Sequence, residues 1–276
     1  MSDAQLKKLA TEQYHESESQ TQTEILDHDF PTEIVELPSK GKFYPPGHLL
    51  SNGTIEMKYM SAKEEDILTN QSYIKQGIVL DKLFKALIVT PIDYNDLLLC
   101  DKNAIMIATR ILGYGKIYEC KVVSPTTGED VQTTVDLTQL PEKEIDWSLI
   151  KPGQSEFEMT LPVSKKAVKL KMLTQGDQVK IDKETKGLKK LKKDAAATTL
   201  LKYIIVELDG DSDKAKIRKF VDKQLLAIDS RAIRQYLKQV TPDIDLKIDV
   251  PDEETGDTFR TSVNIGLDFF WPDAEL

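Results

Sequence analysis

Thr54-Ile55-Glu56-Met57-Lys58-Tyr59-Met60-Ser61-Ala62-Lys63-Glu64 changes its hydrophobic period in the middle. Ile55, Met57 and Tyr59 alternate with Glu56 and Lys58, the pattern of a half-buried strand, and Asn52-Gly53 supplies a tight turn before it. Ser61 then stands at a helix N-cap position, with Glu64 placed to complete a capping box. The stretch therefore predicts a strand running straight into a helix from Ala62 to about Thr69. Such a unit points to an α+β chain.

Outward from this unit the same alternation of periods continues. Upstream, Leu37-Pro38-Ser39-Lys40-Gly41-Lys42-Phe43-Tyr44-Pro45-Pro46-Gly47 is a turn-rich loop stiffened by prolines. Downstream, Leu80, Leu83, Phe84, Leu87 and Ile88 share one helical face, and Pro91 ends that helix. Asp93 caps a short turn, Asp101 heads a helix through Ile111, and Gly113 and Gly115 end it. Tyr118 to Leu137 reads as a β-hairpin around Pro125-Thr126-Thr127-Gly128.

The order then recurs. Val168-Lys169-Leu170-Lys171-Met172 leads into Leu173-Thr174-Gln175-Gly176-Asp177 as the first strand leads into its capped helix. Leu200-Leu201-Lys202-Tyr203-Ile204-Ile205-Val206 parallels Leu83-Phe84-Lys85-Ala86-Leu87-Ile88-Val89. Asp229-Ser230-Arg231-Ala232-Ile233 parallels Asp101-Lys102-Asn103-Ala104-Ile105. Without a gap, Glu254-Thr255-Gly256-Asp257 then falls opposite Thr126-Thr127-Gly128-Glu129, and Val263 opposite Val135. The expectation is an α+β chain of two related lobes, residues 32–150 and 151–276. Each lobe is a strand running into capped helices and ends in a β-hairpin. Residues 1–31, polar and poor in large aliphatics, read as a flexible arm.

Composition removes several function classes. The chain has 276 residues, a formal net charge of -9, 40% hydrophobic and 30% charged residues. A general nucleic-acid binder needs a basic face to release counterions, which this balance argues against. No apolar run approaches the roughly 18 residues of a membrane span. The N-terminus has no apolar signal core, and two cysteines, Cys100 and Cys120, make no disulfide framework. A reduced cytoplasm is the expected site of synthesis.

No catalytic, cofactor or metal site is expected. His15 and His28 lie in the polar arm and His48 in the Pro-rich loop, without the rigid seat a general base needs. Nucleophile elbow, phosphate loop, dinucleotide fingerprint and H-E-x-x-H are all missing from the sequence. Asp209-Gly210-Asp211-Ser212-Asp213 lacks the spacing and final Glu of a calcium loop. Cys120 has no second Cys at zinc-ribbon spacing.

Two features point instead to protein contacts. Phe43 and Tyr44 in the loop, and Phe269-Phe270-Trp271 near the end, are aromatics of the kind that anchor interfaces. An extended Phe269-Phe270-Trp271 would alternate sides and leave at least one ring exposed unless something covers it; a core-packed terminal strand is the other reading. The run Lys183 to Lys193 concentrates basic charge, and Lys189, Lys190, Lys192 and Lys193 form a candidate docking patch for an acidic partner.

Residues 37–44 and 53–68, with the closing Gly266-Leu267-Asp268-Phe269-Phe270-Trp271-Pro272, are similar to the baseplate hub proteins of T-even-like contractile-tailed bacteriophages. In that family a GKFYP loop precedes an IEMKYM-AKEEDIL strand-helix unit. The resemblance covers residues 34–140 well and the second lobe mainly at its end. It implies a late viral protein acting in assembly of the baseplate hub by contacts with other tail proteins, without enzymatic activity. It leaves open a transient assembly factor or a permanent virion subunit. A cell-wall hydrolase and a nucleic-acid-handling factor are the readings from other classes.

Overall fold

The computed structural model describes residues 30–190, 195–251 and 256–270; residues 1–29 of the arm, Lys192, Lys193 and Trp271 lie outside them. The chain is α+β, with small antiparallel sheets and interspersed helices. In the first half, β1 (Thr32–Glu36) pairs with β2 (Thr54–Lys58). Three helices follow, α1 (Ala62–Thr69), α2 (Gln71–Gln76) and α3 (Val79–Leu87). Then come α4 (Lys102–Tyr114) and the hairpin β3 (Ile117–Val123) and β4 (Asp130–Asp136).

In the second half, β5 (Glu156–Thr160), β6 (Ala167–Lys171) and β7 (Ile205–Leu208) form a sheet in that order. Helix α5 (Gln175–Lys190) follows β6, and α6 (Ala196–Ile204) runs directly into β7. Then come α7 (Lys214–Lys223), α8 (Ala227–Val240), the hairpin β8 (Lys247–Pro251) and β9 (Thr258–Ser262), and the turn α9 (Leu267–Phe270).

The two halves share local geometry in detail. Glu64 accepts from the Ser61 N–H at 3.1 Å and pairs with Lys58 at 3.2 Å. Asp177 accepts from the Thr174 N–H at 3.2 Å and pairs with Lys171 at 2.6 Å. Each strand thus delivers a lysine onto the acidic residue that caps the next helix, which favours negative charge in its first turn. Ile88, just past α3, bridges Met57 of β2, and Ile205, just past α6, pairs with Leu170 of β6. The constant offset relating Asp101 to Asp229 carries the Tyr118/Val135 pair onto Leu246 and Val263, whose backbones bond at 2.8 Å. It also carries Gly128 onto Gly256, with φ of 77° and 74°. Helix α7 has no counterpart in the first half.

The core divides differently from the chain order. Leu161, Val168, Leu170, Leu201, Ile205, Phe220 and Ile233 form one cluster confined to the second half. The larger cluster contains Leu37, Ile55, Met57, Leu83, Phe84 and Ile105, and takes in Phe157, Val240, Val263, Phe269 and Phe270 from the second half. Burying one such side chain contributes roughly 1.5–3 kcal/mol. The chain's end therefore closes the core that its beginning opens.

Some local expectations need correction. Gly113 lies inside α4, and a Cβ there would come within 2.1 Å of the Met60 side chain. That glycine makes room, and Gly115 ends the helix. Asp101 heads α4 but its side chain caps nothing there. The terminal aromatics are not extended: Leu267–Phe270 makes a helical turn.

Candidate functional site

The Pro-rich loop forms a joint between the halves. Phe43 is buried, with its ring 6.5 Å from that of Trp147 and 6.1 Å from that of Phe157 in β5. The Tyr44 hydroxyl donates to Asp101 Oδ2 at 2.8 Å and accepts from the Leu98 N–H at 3.1 Å. Asp101 Oδ1 accepts from the Ser39 N–H at 2.9 Å. Burial pushes the Asp101 carboxyl up to about 6, a rise opposed by those hydrogen bonds and reinforced by nearby Asp243. Burial and the Asp101 charge raise the Tyr44 phenol as well.

Backbone bonds tie the same region across the halves. The Gly153 N–H donates to Lys42 O at 2.7 Å, the Leu99 N–H to Leu173 O at 2.9 Å, and the Gln175 N–H to Leu97 O at 2.8 Å. Close by, Asn103 donates to Asp243 at 2.8 Å and the Lys143 N–H to Asp243 O.

Four of the five candidate anchor aromatics are buried within the chain. Phe43 and Tyr44 are held in the joint. Phe269 packs edge-on against Tyr118, with ring centroids 4.8 Å apart, and Phe270 against Phe84 at 5.7 Å. Both phenylalanines are fully buried. The helical turn at Leu267–Phe270 puts neighbouring rings on one side, which an extended strand would not do. Trp271 lies outside the described residues.

The lysines fare differently. Lys189 and Lys190 are exposed at the end of α5, on a helix that also exposes Lys180, Lys183 and Lys186. Another side of α5 is fastened: Glu184 accepts both guanidinium nitrogens of Arg218 at 2.8 Å and the Tyr203 hydroxyl at 3.1 Å. Lys192 and Lys193 lie outside the described residues.

Groups with catalytic or metal-binding potential are engaged in holding the fold. His48 stacks on Tyr44, and its Nδ1 accepts from the Leu50 N–H. Burial raises the Cys100 thiol far above its ordinary value. Asp209 binds Lys166, Asp211 binds Lys216, and Asp213 caps α7 through the Ala215 N–H. Among the described residues no cluster of His, Cys, Asp and Glu has metal-binding geometry. No described helix is long and apolar enough to cross a membrane.

One concave feature escaped sequence reasoning. A cleft of about 560 Å³ runs beside β5, lined by Leu149, Lys151, Phe157 and Tyr236 and by the strand's own Glu156 and Glu158. Only the alternation of Glu156-Phe157-Glu158-Met159 hinted at the strand, and nothing in the sequence placed Tyr236 against it.

No curated protein and no solved structure matches the chain significantly. A family model described as T4 bacteriophage base plate protein matches residues 30–271. That match takes in both halves, the joint and every described residue, and the chain belongs to the T4 bacteriophage base plate protein family.

Proposed function

We propose that this baseplate protein is a non-catalytic component acting in assembly of the central hub of a contractile tail, through contacts with other tail proteins. The family match over residues 30–271 carries the tail role. The hub location rests on the similarity of residues 37–44 and 53–68 to hub proteins. Within the chain, two lobes at residues 32–150 and 151–276, fused at a buried joint, suit a rigid bridging body better than a one-pocket enzyme.

The absence of catalysis is supported by the use of polar side chains. The buried carboxylates Asp101 and Asp229 and the cap residues Glu64 and Asp177 are all engaged in intrachain bonds. The exposed lysines of α5 offer a docking face for an acidic partner, with the host cytoplasm as the place of assembly.

The test is genetic and biochemical. Infection lacking this chain is expected to yield tails arrested before the hub is complete, restored by the chain supplied in trans. Complete hubs in its absence would refute the reading. Mass spectrometry of purified particles separates a permanent subunit, recovered in stoichiometric amount, from a transient factor.

A further inference from the structure

We propose that the outer edge of β5 is a docking strand, which captures an extended segment of another tail protein carrying alternating basic and apolar residues. β5 ends its sheet, with β6 on one side and, among the described residues, no strand on the other. Its register fixes which backbone groups face outward. The Met172 N–H donates to Ser155 O and the Leu161 N–H to Lys166 O, so Phe157 and Met159 bond inward to Leu170 and Val168. Glu156, Glu158 and Thr160 then turn their N–H and C=O groups away from the sheet, and none of these has a backbone partner among the described residues. A row of unpaired groups of this kind is a template for strand addition.

The side chains specify what the row accepts. Glu156 and Glu158 are exposed on one face of the strand, with 80% of the Glu158 side chain open to solvent. Lys169, on the same face, is held by Glu207 at 3.1 Å and reaches Glu158 only at 3.7 Å, so one lysine is shared among the acidic residues of this face. Lys151, in the turn before the strand, adds one positive charge to the cleft. On the other face Phe157 meets Tyr236 edge-on at 6.1 Å, with Leu149 also lining the cleft. An added strand would set basic residues across from Glu156 and Glu158 and apolar residues beside Phe157 and Tyr236. A second copy docking through the same edge is a poor occupant, because antiparallel pairing of β5 with the copy's β5 would set Glu156 and Glu158 against like charges.

This site extends the proposed assembly role and does not depend on the hub location. The probe is an alternating Lys-Val peptide about eight residues long, near ordinary strand length, with an alternating Glu-Val peptide as control. In the full chain, the Lys-Val peptide is expected to slow amide hydrogen exchange at Glu156, Glu158 and Thr160 at least tenfold. Amides of Phe157 and Met159, already bonded to β6, would change little. Glu158→Pro, which removes an outward N–H, is expected to abolish binding. The matched Ile34→Pro in β1 is expected to leave it intact. The double variant Glu156→Lys/Glu158→Lys keeps the strand and is expected to weaken binding at least tenfold. Absence of binding at millimolar peptide, equal binding of Glu-Val, or binding without protection at these three amides would each overturn the proposal. Tails that assemble normally from the double variant would also overturn it, leaving the proposed tail role in place.

Discussion

Asp101 and Asp229 do the same work in the two halves. Both are fully buried at the start of a helix, and each carboxylate accepts backbone N–H groups from the loop joining the first two strands of its half. For Asp101 the donor is Ser39; for Asp229 the donors are Val163 at 2.8 Å and Ser164 at 3.1 Å. The loops themselves agree: Leu37-Pro38-Ser39-Lys40 and Leu161-Pro162-Val163-Ser164-Lys165 each bring a lysine to positive φ, 49° and 56°.

Electrostatically the two aspartates diverge, and this yields a pH prediction. Burial raises Asp101 to about 6, so its folded form holds a proton more tightly than the unfolded chain does. The resulting stabilisation is complete below the unfolded value near 4 and is lost as pH rises through about 6, a difference of about 3 kcal/mol. Asp243, also raised by burial, acts in the same direction. At Asp229 burial pushes upward, but bonds from Val163 and Ser164 hold the group below its ordinary value. Its contribution is present above about 4 and is lost in stronger acid. Thermal unfolding of Asp101→Asn is expected to show a flatter decline between about pH 4 and 6 than the parent chain. Asp229→Asn is expected to lower the melting temperature at pH 7 and flatten the loss below pH 4. Parallel profiles for parent and Asp101→Asn would refute the assignment.

A second prediction concerns the joint loop. Gly41 has φ of 71°, and a Cβ there would sit 2.3 Å from Ser51 O and 2.6 Å from Gly53 N. Gly128 has φ of 77° with open space around it. Left-handed backbone alone costs an L-residue about 1–2 kcal/mol. Gly128→Ala is therefore expected to lose about that much in urea unfolding. Gly41→Ala must also push two backbone segments apart, and a loss of roughly 3 kcal/mol or more is expected. Equal losses would mean that the close approach relaxes freely.

What the sequence disclosed was local, and what it hid was tertiary. The period change at Tyr59-Met60-Ser61 and the capping spacing of Ser61 and Glu64 placed β2 and α1 correctly, because both signals act within a few residues. The local correspondences between the halves, such as Glu64 with Lys58 and Asp177 with Lys171, were legible for the same reason. Strands β1 and β5 were not foreseen, since Thr32–Glu36 and Glu156–Thr160 are short, carry charge and acquire their faces only by pairing. The aromatics misled because burial depends on what covers them. Phe43 is covered by Trp147 and Phe157, and Phe270 by Phe84, across separations that no local pattern encodes.

Phe269 and Phe270 therefore belong to the stability of the chain. Phe269→Ala and Phe270→Ala are each expected to cost about 3–5 kcal/mol, the range for removing a buried phenyl group. Leu226→Ala, at a side chain 46% exposed, is expected to stay within about 0.5 kcal/mol. Association with tail proteins would fall only as far as the folded fraction falls. A Phe269→Ala chain with parental stability and weakened association would restore the anchor role.

The lysines of α5 are expected to behave in the opposite way. Lys189 and Lys190 are exposed and form none of the intrachain ion pairs found among the described residues, whereas Glu184 on the same helix is locked to Arg218. Lys189→Glu with Lys190→Glu is therefore expected to change stability by less than about 0.5 kcal/mol. If the helix docks on an acidic tail partner, the same double change slows association and flattens its dependence on salt, since both effects come from screened long-range attraction. Association measured at low and at physiological ionic strength separates the outcomes. Unchanged rates at both would remove α5 from the docking surface, leaving the free edge of β5 as the remaining candidate.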